Sequence, residues 1–164
     1  MSYDTLSNYL GYIEEAFLAY KTERYNIKGK DVVAGNCKYY LNDLSFKNFL
    51  YPGFAYGVGY LLENAVYLEL RRLGYIVYTG SFRDKEVDFV AMKDDRVIYL
   101  QATYMLETAQ TMEREYAPLL TIGDNYEKYV VSMDEVQFPS NEGVRHIQAW
   151  NLKEIIVGNQ FLFL

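Results

Sequence analysis

The sequence has few of the residues on which several common kinds of site depend. Of its 164 residues, one is cysteine and one is histidine, which excludes an internal disulfide and a cysteine-based zinc site. A lone histidine also leaves most nucleophile–base arrangements without their usual partner, and we expect His146 to be a strand residue near the surface. No glycine-rich phosphate loop of the G-x-x-x-x-G-K-[ST] type is present, so nothing predicts ATP binding by this chain.

Targeting signals and long apolar runs are also missing. The sequence contains no signal peptide and no apolar stretch long enough to span a bilayer. We therefore expect a soluble, cytoplasmic protein with no membrane contact. Hydrophobic residues make up 51% of the chain, which is enough for a packed core and argues against disorder. The length fits one domain, or one domain plus a fragment of another.

Positive charge is scarce in the second part of the chain. Residues 1–50 hold six basic and six acidic side chains, so residues 51–164 carry all of the formal net charge of −6. Binding to a polyanion depends largely on Lys and Arg at the phosphates. The acidic balance therefore argues against constitutive nucleic-acid binding, although a local basic patch would be compatible with it.

The first fifty residues have the outline of half a winged helix. Helical spacing predicts a helix ending near residue 18, followed by a strand over 19–27, a loop or short strand between Gly29 and Gly35, a strand over 38–41 and a short helix capped by Asp43. A small α+β subdomain that packs on its neighbour is the alternative, because the other helices of a winged helix are absent. The break at residues 51–53 predicts a domain boundary there, which gives units of 1–50 and 51–164.

The second unit alternates helices and strands. Apolar spacing predicts a helix over 59–73, a short strand leading to a turn at Gly80, and a hairpin over 85–103. A second helix follows, which Pro118 should kink or divide. Strands over 128–133 and 144–150, a helix that begins at Asn151 and an apolar tail over 161–164 complete the chain. We expect the tail to be docked rather than free.

The hairpin carries a compact polar cluster. If Asp94 and Asp95 form its turn, Asp88 lies opposite Gln101 and Glu86 lies opposite Thr103. Alternation of side chains then places these four on one face of the sheet. The other face is apolar and is predicted to be core, with Val87, Phe89, Ala91, Ile98, Leu100 and Ala102. On the preceding helix, Glu63 lies at the edge of the apolar stripe. A carboxylate in that position needs a charged or hydrogen-bonding partner, or a functional role.

The predicted elements follow the order helix, three strands, helix, strand, with an acid on the first helix and a D…(D/E)-x-K-like hairpin. This arrangement resembles the core of the PD-(D/E)XK nuclease superfamily. More narrowly, the chain resembles the restriction-endonuclease-like C-terminal domain, of unknown function, of bacterial and archaeal AAA-type ATPases. The segments that carry the resemblance are NYLGYIEEAFLAY, KYYLND, LLENAVYLELRRLGY, KEVDFVA, YLQATY and ETAQTMEREYAPLLTIGDNYEKYVVSMD. It implies a mixed α/β fold, an αβββαβ core preceded by a partial winged-helix-like segment. It also implies that the chain is a stand-alone relic or a fragment that lacks its ATPase module.

The resemblance assigns catalytic positions to Glu63, Asp88, Gln101 and Thr103, and a Mg²⁺ or Mn²⁺ site to Glu63 and Asp88. Gln101 stands where Asp or Glu is expected, and Thr103 stands where lysine is expected. Metal-assisted hydrolysis needs several anionic oxygens, and loss of one electrostatic stabiliser costs ~2.7–4 kcal/mol in comparable sites. Glu86 could restore a metal-binding carboxylate. Arg83 or Lys85 could supply the cation, but Lys85 should point to the opposite face.

The sequence leaves three hypotheses about function. The first is a catalytically degenerate module that recognises nucleic acid or protein for an ATPase partner. The second is a metal-dependent nuclease with a rearranged site made of Glu63, Glu86 and Asp88. The third is an interaction domain that forms homo-oligomers, as the acidic surface and the apolar tail suggest.

Overall fold

The computed structural model of the protein describes residues 2–50, 52–53 and 57–158. Over these residues the chain is a mixed α/β structure with a seven-stranded sheet and five α-helices. In chain order the elements are α1 (Tyr3–Glu15), β1 (Ala19–Asn26), β2 (Asp31–Leu41), α2 (Ser45–Leu50), α3 (Val58–Arg72), β3 (Ile76–Phe82), β4 (Lys85–Lys93), β5 (Arg96–Ala102), α4 (Ala109–Leu120), β6 (Glu127–Ser132), β7 (Val144–Gln148), a 3₁₀ turn (Ala149–Asn151) and α5 (Leu152–Gly158).

One sheet runs through both halves of the chain, with strand order β2-β1-β3-β4-β5-β6-β7. The pairs β1–β2, β3–β4 and β4–β5 are antiparallel, and β1–β3, β5–β6 and β6–β7 are parallel. Strands β1 and β2 therefore extend the sheet begun by β3, although they precede the boundary predicted at residues 51–53. That boundary stays a prediction, and the tail over 161–164 lies outside the described residues.

The sheet is covered on both faces. Helices α3 and α5 pack on one face against a core that includes Phe89, Leu100 and Tyr129. Helix α4 packs on the other face against Val90, Tyr99 and neighbouring residues. The prediction that the hairpin has one apolar and one polar face is therefore wrong, because its central residues are buried on both sides.

The predicted hairpin register is confirmed. Asp94 and Asp95 form the turn, and Phe89 pairs with Leu100, as does Lys93 with Arg96. Toward its start, however, β4 pairs irregularly with β3. Tyr78 pairs with Val90, but Gly80 pairs with Val87. Between these two pairs, β4 therefore has one residue more than β3. Such a β-bulge shifts the alternation of side chains.

The bulge corrects two further predictions. Val87 does not share a face with Phe89; it lies with Val90 in the core beneath α4, while Phe89 lies beneath α3. Gly80 is not in a turn but inside β3, and the turn falls at Arg83 and Asp84.

Other boundaries differ in detail. Helix α1 ends at Glu15 and is followed by Phe17 with a positive φ of 55°. Strand β2 is continuous through Gly35. Pro118 is buried and does not divide α4, because it lies only two residues before the end of that helix. His146 is a strand residue, as predicted, but it is buried rather than near the surface.

None of the helices in the described part of the chain is long and apolar enough to cross a membrane.

The bulge generates a first prediction. A Cβ added at Gly80 would lie 2.8 Å from Val90 Cγ2 and 3.0 Å from Val87 Cβ, so Gly80→Ala should lower the free energy of unfolding by about 1–3 kcal/mol through overpacking. Urea denaturation measures the change. Gly123→Ala is the control, because no atom lies within 4 Å of its Cβ position. Equal stability of the two variants would contradict the close packing at Gly80.

Candidate functional site

The three acidic residues predicted to bind metal converge on a lysine that was not predicted. Lys38 Nζ lies 2.9 Å from Glu63 Oε1, 3.0 Å from Glu86 Oε1 and 3.5 Å from Asp88 Oδ1. We call these four residues the Lys38 cluster. Lys38 comes from β2, Glu63 from α3, and Glu86 and Asp88 from β4, so the cluster joins three elements that are distant in sequence.

Helix α3 is held against β2 by a side chain next to Glu63. Asn64 Oδ1 accepts a hydrogen bond from the backbone N of Leu41 at 2.8 Å, and Asn64 Nδ2 donates to the backbone O of Leu41 at 2.9 Å. On the same helix, Glu63 Oε1 also accepts from the hydroxyl of Tyr40 at 2.8 Å. The position of Glu63 is therefore fixed by two alternate residues of β2, Lys38 and Tyr40, which project from the same face of that strand.

Asp88 is positioned by the β-bulge. Its Oδ2 accepts a hydrogen bond from the backbone N of Ala102 at 2.9 Å, and its own backbone N donates to Gln101 Oε1 at 3.3 Å. The regular β4–β5 pairing begins only at Phe89 and Leu100. Side chains of Asp88 and Gln101 thus continue the connection between the strands where the backbone pairing stops.

The structure therefore brings Glu63, Glu86, Asp88 and Gln101 close together, as predicted, but in different roles. The amide oxygen of Gln101 accepts from the backbone of Asp88. Thr103 is buried, and its backbone N donates to Val131 O at 3.0 Å. Glu86 pairs with Ser81 of β3, and it lies outside the β4–β5 pairs, which begin at Phe89 and Leu100. Its carboxylate binds Arg24 as well as Lys38.

The two candidate replacement cations lie elsewhere. Lys85 lines a cavity beside α4, in agreement with its predicted orientation. The guanidinium of Arg83 lies over the ring of Phe82, 5.4 Å from its centroid. Lys38 and Tyr40 are alternate residues of a predicted strand, and this spacing places both side chains on one face. The predicted boundary at residues 51–53 separates that strand from the hairpin, so the sequence does not connect Lys38 with the site.

Electrostatics in the Lys38 cluster depend on burial. Only 12% of the Asp88 side chain and 13% of the Glu63 side chain are exposed. Burial, and then the charge of Glu63, raise the pKa of Asp88 to about 7, against the opposing effect of Lys38. Burial alone would lower the pKa of Lys38, but the carboxylates of Asp88 and Glu63 outweigh it and raise that pKa. Burial and Glu63 likewise raise the pKa of the Tyr40 phenol.

In this arrangement the cluster does not fit a divalent metal. The Lys38 ammonium stands among the oxygens that would have to bind the ion, and the oxygen of Gln101 is engaged with the backbone of Asp88. Within residues 2–50, 52–53 and 57–158, no group of three or more His, Cys, Asp or Glu side chains is arranged to hold a metal. Chemically, the cluster is a set of ion pairs with an internal cation.

A cavity opens beside the cluster between β2, α2 and α3. Its volume is about 530 Å³, and Lys38, Tyr40 and Glu63 form part of its wall. Tyr60, of which 70% is exposed, lies at the same cavity. The cluster is therefore accessible from one side.

Comparison with known proteins identifies relatives but no function. The chain is 37% identical over 128 residues to an uncharacterized protein of Haemophilus influenzae, and 31% identical over 119 residues to an uncharacterized protein of Methanocaldococcus jannaschii. These matches cover 78% and 70% of the chain but only 31% and 26% of the two relatives. The chain thus spans less than a third of the length of either relative. No protein-family model and no solved structure matches it.

A second prediction concerns the ammonium of Lys38. Lys38→Met keeps most of the side-chain length but leaves three carboxylates without their shared partner. It should lower the free energy of unfolding by about 1–3 kcal/mol at neutral pH, measured by urea denaturation. The matched control is Lys28→Met, an exposed lysine in the turn after β1, which should change stability by less than about 0.5 kcal/mol. Equal effects of the two variants would show that the ion pairs contribute nothing.

A third prediction concerns pH. Because the folded pKa of Asp88, about 7, exceeds the ordinary value of about 3.9, the folded state holds this proton more tightly than the unfolded state. The associated stability is present below about pH 4 and is lost as the pH rises toward 7, with a slope of at most ~1.4 kcal/mol per pH unit. Asp88→Asn should remove this slope in denaturation curves between pH 4.5 and 7.5. A slope unchanged by the substitution would assign the pH dependence to another group.

Proposed function

We propose that the chain is the nuclease-fold module of an AAA-type ATPase, that its former cleavage centre is now a structural set of ion pairs, and that the module acts in recognition of a macromolecular partner. The order α3, β3, β4, β5, α4, β6 is the αβββαβ order that the resemblance requires. The order α1, β1, β2, α2 ahead of it is compatible with a partial winged-helix-like segment. Both observations support a restriction-endonuclease-like origin.

The observation that carries the proposal is the place of the Lys38 ammonium. Hydrolysis of a phosphodiester with Mg²⁺ needs anionic oxygens that face an accessible ion. Here the three carboxylates face a cation that belongs to the chain, and that cation is held by all three. A bound ion would have to displace Lys38 from partners that raise its pKa and keep it charged.

The lengths of the relatives support the assignment to a larger protein. In both, the matching region is joined to more than twice its own length of additional chain. We infer that the partner of the module belongs to such additional chain. The net charge of −6 favours a protein partner over nucleic acid, because a polyanion would be repelled by the body of the domain.

Divalent-cation binding is the fourth prediction. Isothermal titration calorimetry and thermal denaturation with Mg²⁺ and Mn²⁺ should show no binding to the wild type at millimolar concentrations. Lys38→Met, by contrast, should gain stability on addition of either ion, because a divalent cation can then neutralise the three carboxylates. Lys28→Met is again the control and should behave like the wild type.

Cleavage assays complete the test. Incubation of the wild type with single-stranded, duplex and branched DNA and with RNA should give no products in either metal. Metal-dependent cleavage that disappears in Asp88→Ala would overturn the proposal.

That outcome would favour a second candidate function, a metal-dependent nuclease with a rearranged site. One observation supports it: Lys38 brings an ammonium to within 3.5 Å of Asp88 and so supplies the cation that Thr103 cannot. In that case Lys38 would have to move from between the carboxylates when the metal binds. The candidate predicts that Lys38→Met abolishes cleavage while it retains metal binding.

A further inference from the structure

The segment between β6 and β7 folds back over the outer edge of β7. Asn141 exchanges two backbone hydrogen bonds with Val144, of 3.0 and 2.9 Å. The side chain of Gln137 donates to the backbone O of His146, and the backbone N of Phe138 donates to His146 Nδ1 at 3.2 Å. Residues 133–143 thereby cover the edge of the sheet. We call this segment the β7 cover.

The hydrogen bonds of His146 fix one tautomer of its ring. Because Nδ1 accepts from the backbone of Phe138, the proton of the neutral imidazole is on Nε2, which lies 2.8 Å from Ser132 Oγ. Ser132 Oγ in turn lies 2.6 Å from Asp134 Oδ2, an oxygen that also accepts from the backbone N of Leu106. His146, Ser132 and Asp134 are all buried. A second proton on the ring would have to bind Nδ1, where this chain of hydrogen bonds offers it no acceptor.

The chain does not form a hydrolytic triad. In a triad the histidine stands between the serine and the acid and receives the serine proton. Here Ser132 stands between His146 and Asp134, and both ring nitrogens are engaged. Ser132 is fully buried and is not available to a substrate.

We propose that His146 is an acid-sensitive latch: protonation at Nδ1 breaks its bond with Phe138 and releases the β7 cover from the edge of the sheet. A proton on Nδ1 would face the N–H of Phe138, so two donors would meet where one acceptor is needed. The ring of Phe138 also packs edge-on against the imidazole of His146, with centroids 5.0 Å apart.

Release of the β7 cover would change two cavities. Phe138 and Ser140 line both a cavity of about 640 Å³ beside α4 and one of about 430 Å³ beside α5. Opening would join the space on the two sides of the cover and expose the backbone of β7, to which an extended peptide could then pair. The latch would thereby couple pH to the accessibility of this edge.

Burial, and then the neighbouring charge of Asp134, set the pH at which the latch opens. Burial lowers the pKa of His146, and the negative charge of Asp134 only partly opposes this. From α4, Tyr116 faces Asp134, and from α5, Glu154 lines the same cavity as His146 together with Arg145 of β7. The latch therefore stays closed at neutral pH and opens below the ordinary histidine range.

NMR tests the proposal directly, because the chain contains a single histidine and its ring signals need no assignment by mutagenesis. At pH 7.5 the ¹⁵N shifts should show the Nε2–H tautomer. Amide protection factors in the β7 cover should fall as the pH is lowered from the ordinary histidine pKa of about 6.5 toward the lower value of His146, by up to about tenfold per pH unit. Protection at the Asp94–Asp95 hairpin should not follow the same curve.

Two variants separate the latch from general acid unfolding. His146→Asn offers an amide oxygen near the position of Nδ1 and does not titrate, so protection in the β7 cover should become independent of pH. Glu135→Gln removes an exposed titratable group from the same segment and should behave like the wild type. If the asparagine variant does not fold, the wild-type titration still decides. Titration of His146 with no change in protection of the cover, or with an equal change throughout the sheet, would overturn the proposal.

Discussion

The Lys38 ammonium links three elements of the protein that are distant in sequence. The carboxylates of Glu63 and Asp88 are largely removed from water and would repel one another strongly, and the cost of burying them is offset only by cations and hydrogen-bond donors at short range. Lys38 contacts all three carboxylates of the cluster, Arg24 contacts Glu86, and Tyr40 contacts Glu63. Strand β2, helix α3 and the start of β4 are thereby constrained to one another. The addition of β1 and β2 to the sheet is what delivers this cation.

Local sequence patterns were sufficient for the hairpin and the helices but not for the way they combine. The register of β4 with β5 follows from a two-residue turn and strict alternation, and the proximity of Asp88 to Gln101 follows from the register. Helix α3 follows from its apolar stripe and from Gly74, which takes a positive φ of 86°. The β-bulge could not be predicted, because it depends on the fit of Gly80 against Val87 and Val90 on a neighbouring strand.

The environments of Lys38 and His146 depend on contacts that have no signal in the local sequence pattern. Lys38 is 25 residues from Glu63 and reaches it only because β1 pairs in parallel with β3, a contact that has no local signal. His146 was expected near the surface because polar residues usually are. Its burial depends on a cover from the preceding segment, which gives both ring nitrogens a partner. Burial on both faces of the hairpin likewise depends on α4, a helix later in the chain.

The two buried polar groups are stabilised in opposite ways, and this gives them opposite responses to acid. In the Lys38 cluster burial, and then the charge of Glu63, raise the pKa of Asp88, so the folded state loses stability as the pH rises. At His146 burial lowers the pKa, and the bond from the backbone N of Phe138 to Nδ1 requires the neutral ring, so the folded state loses stability as the pH falls below the ordinary histidine value. Near pH 7 the stability associated with the Asp88 proton has been lost, whereas the neutral His146 ring keeps its hydrogen bonds. The same fold thus tolerates a charged centre at one end of its sheet and a buried neutral imidazole at the far edge, because each has hydrogen-bond partners that match its charge state.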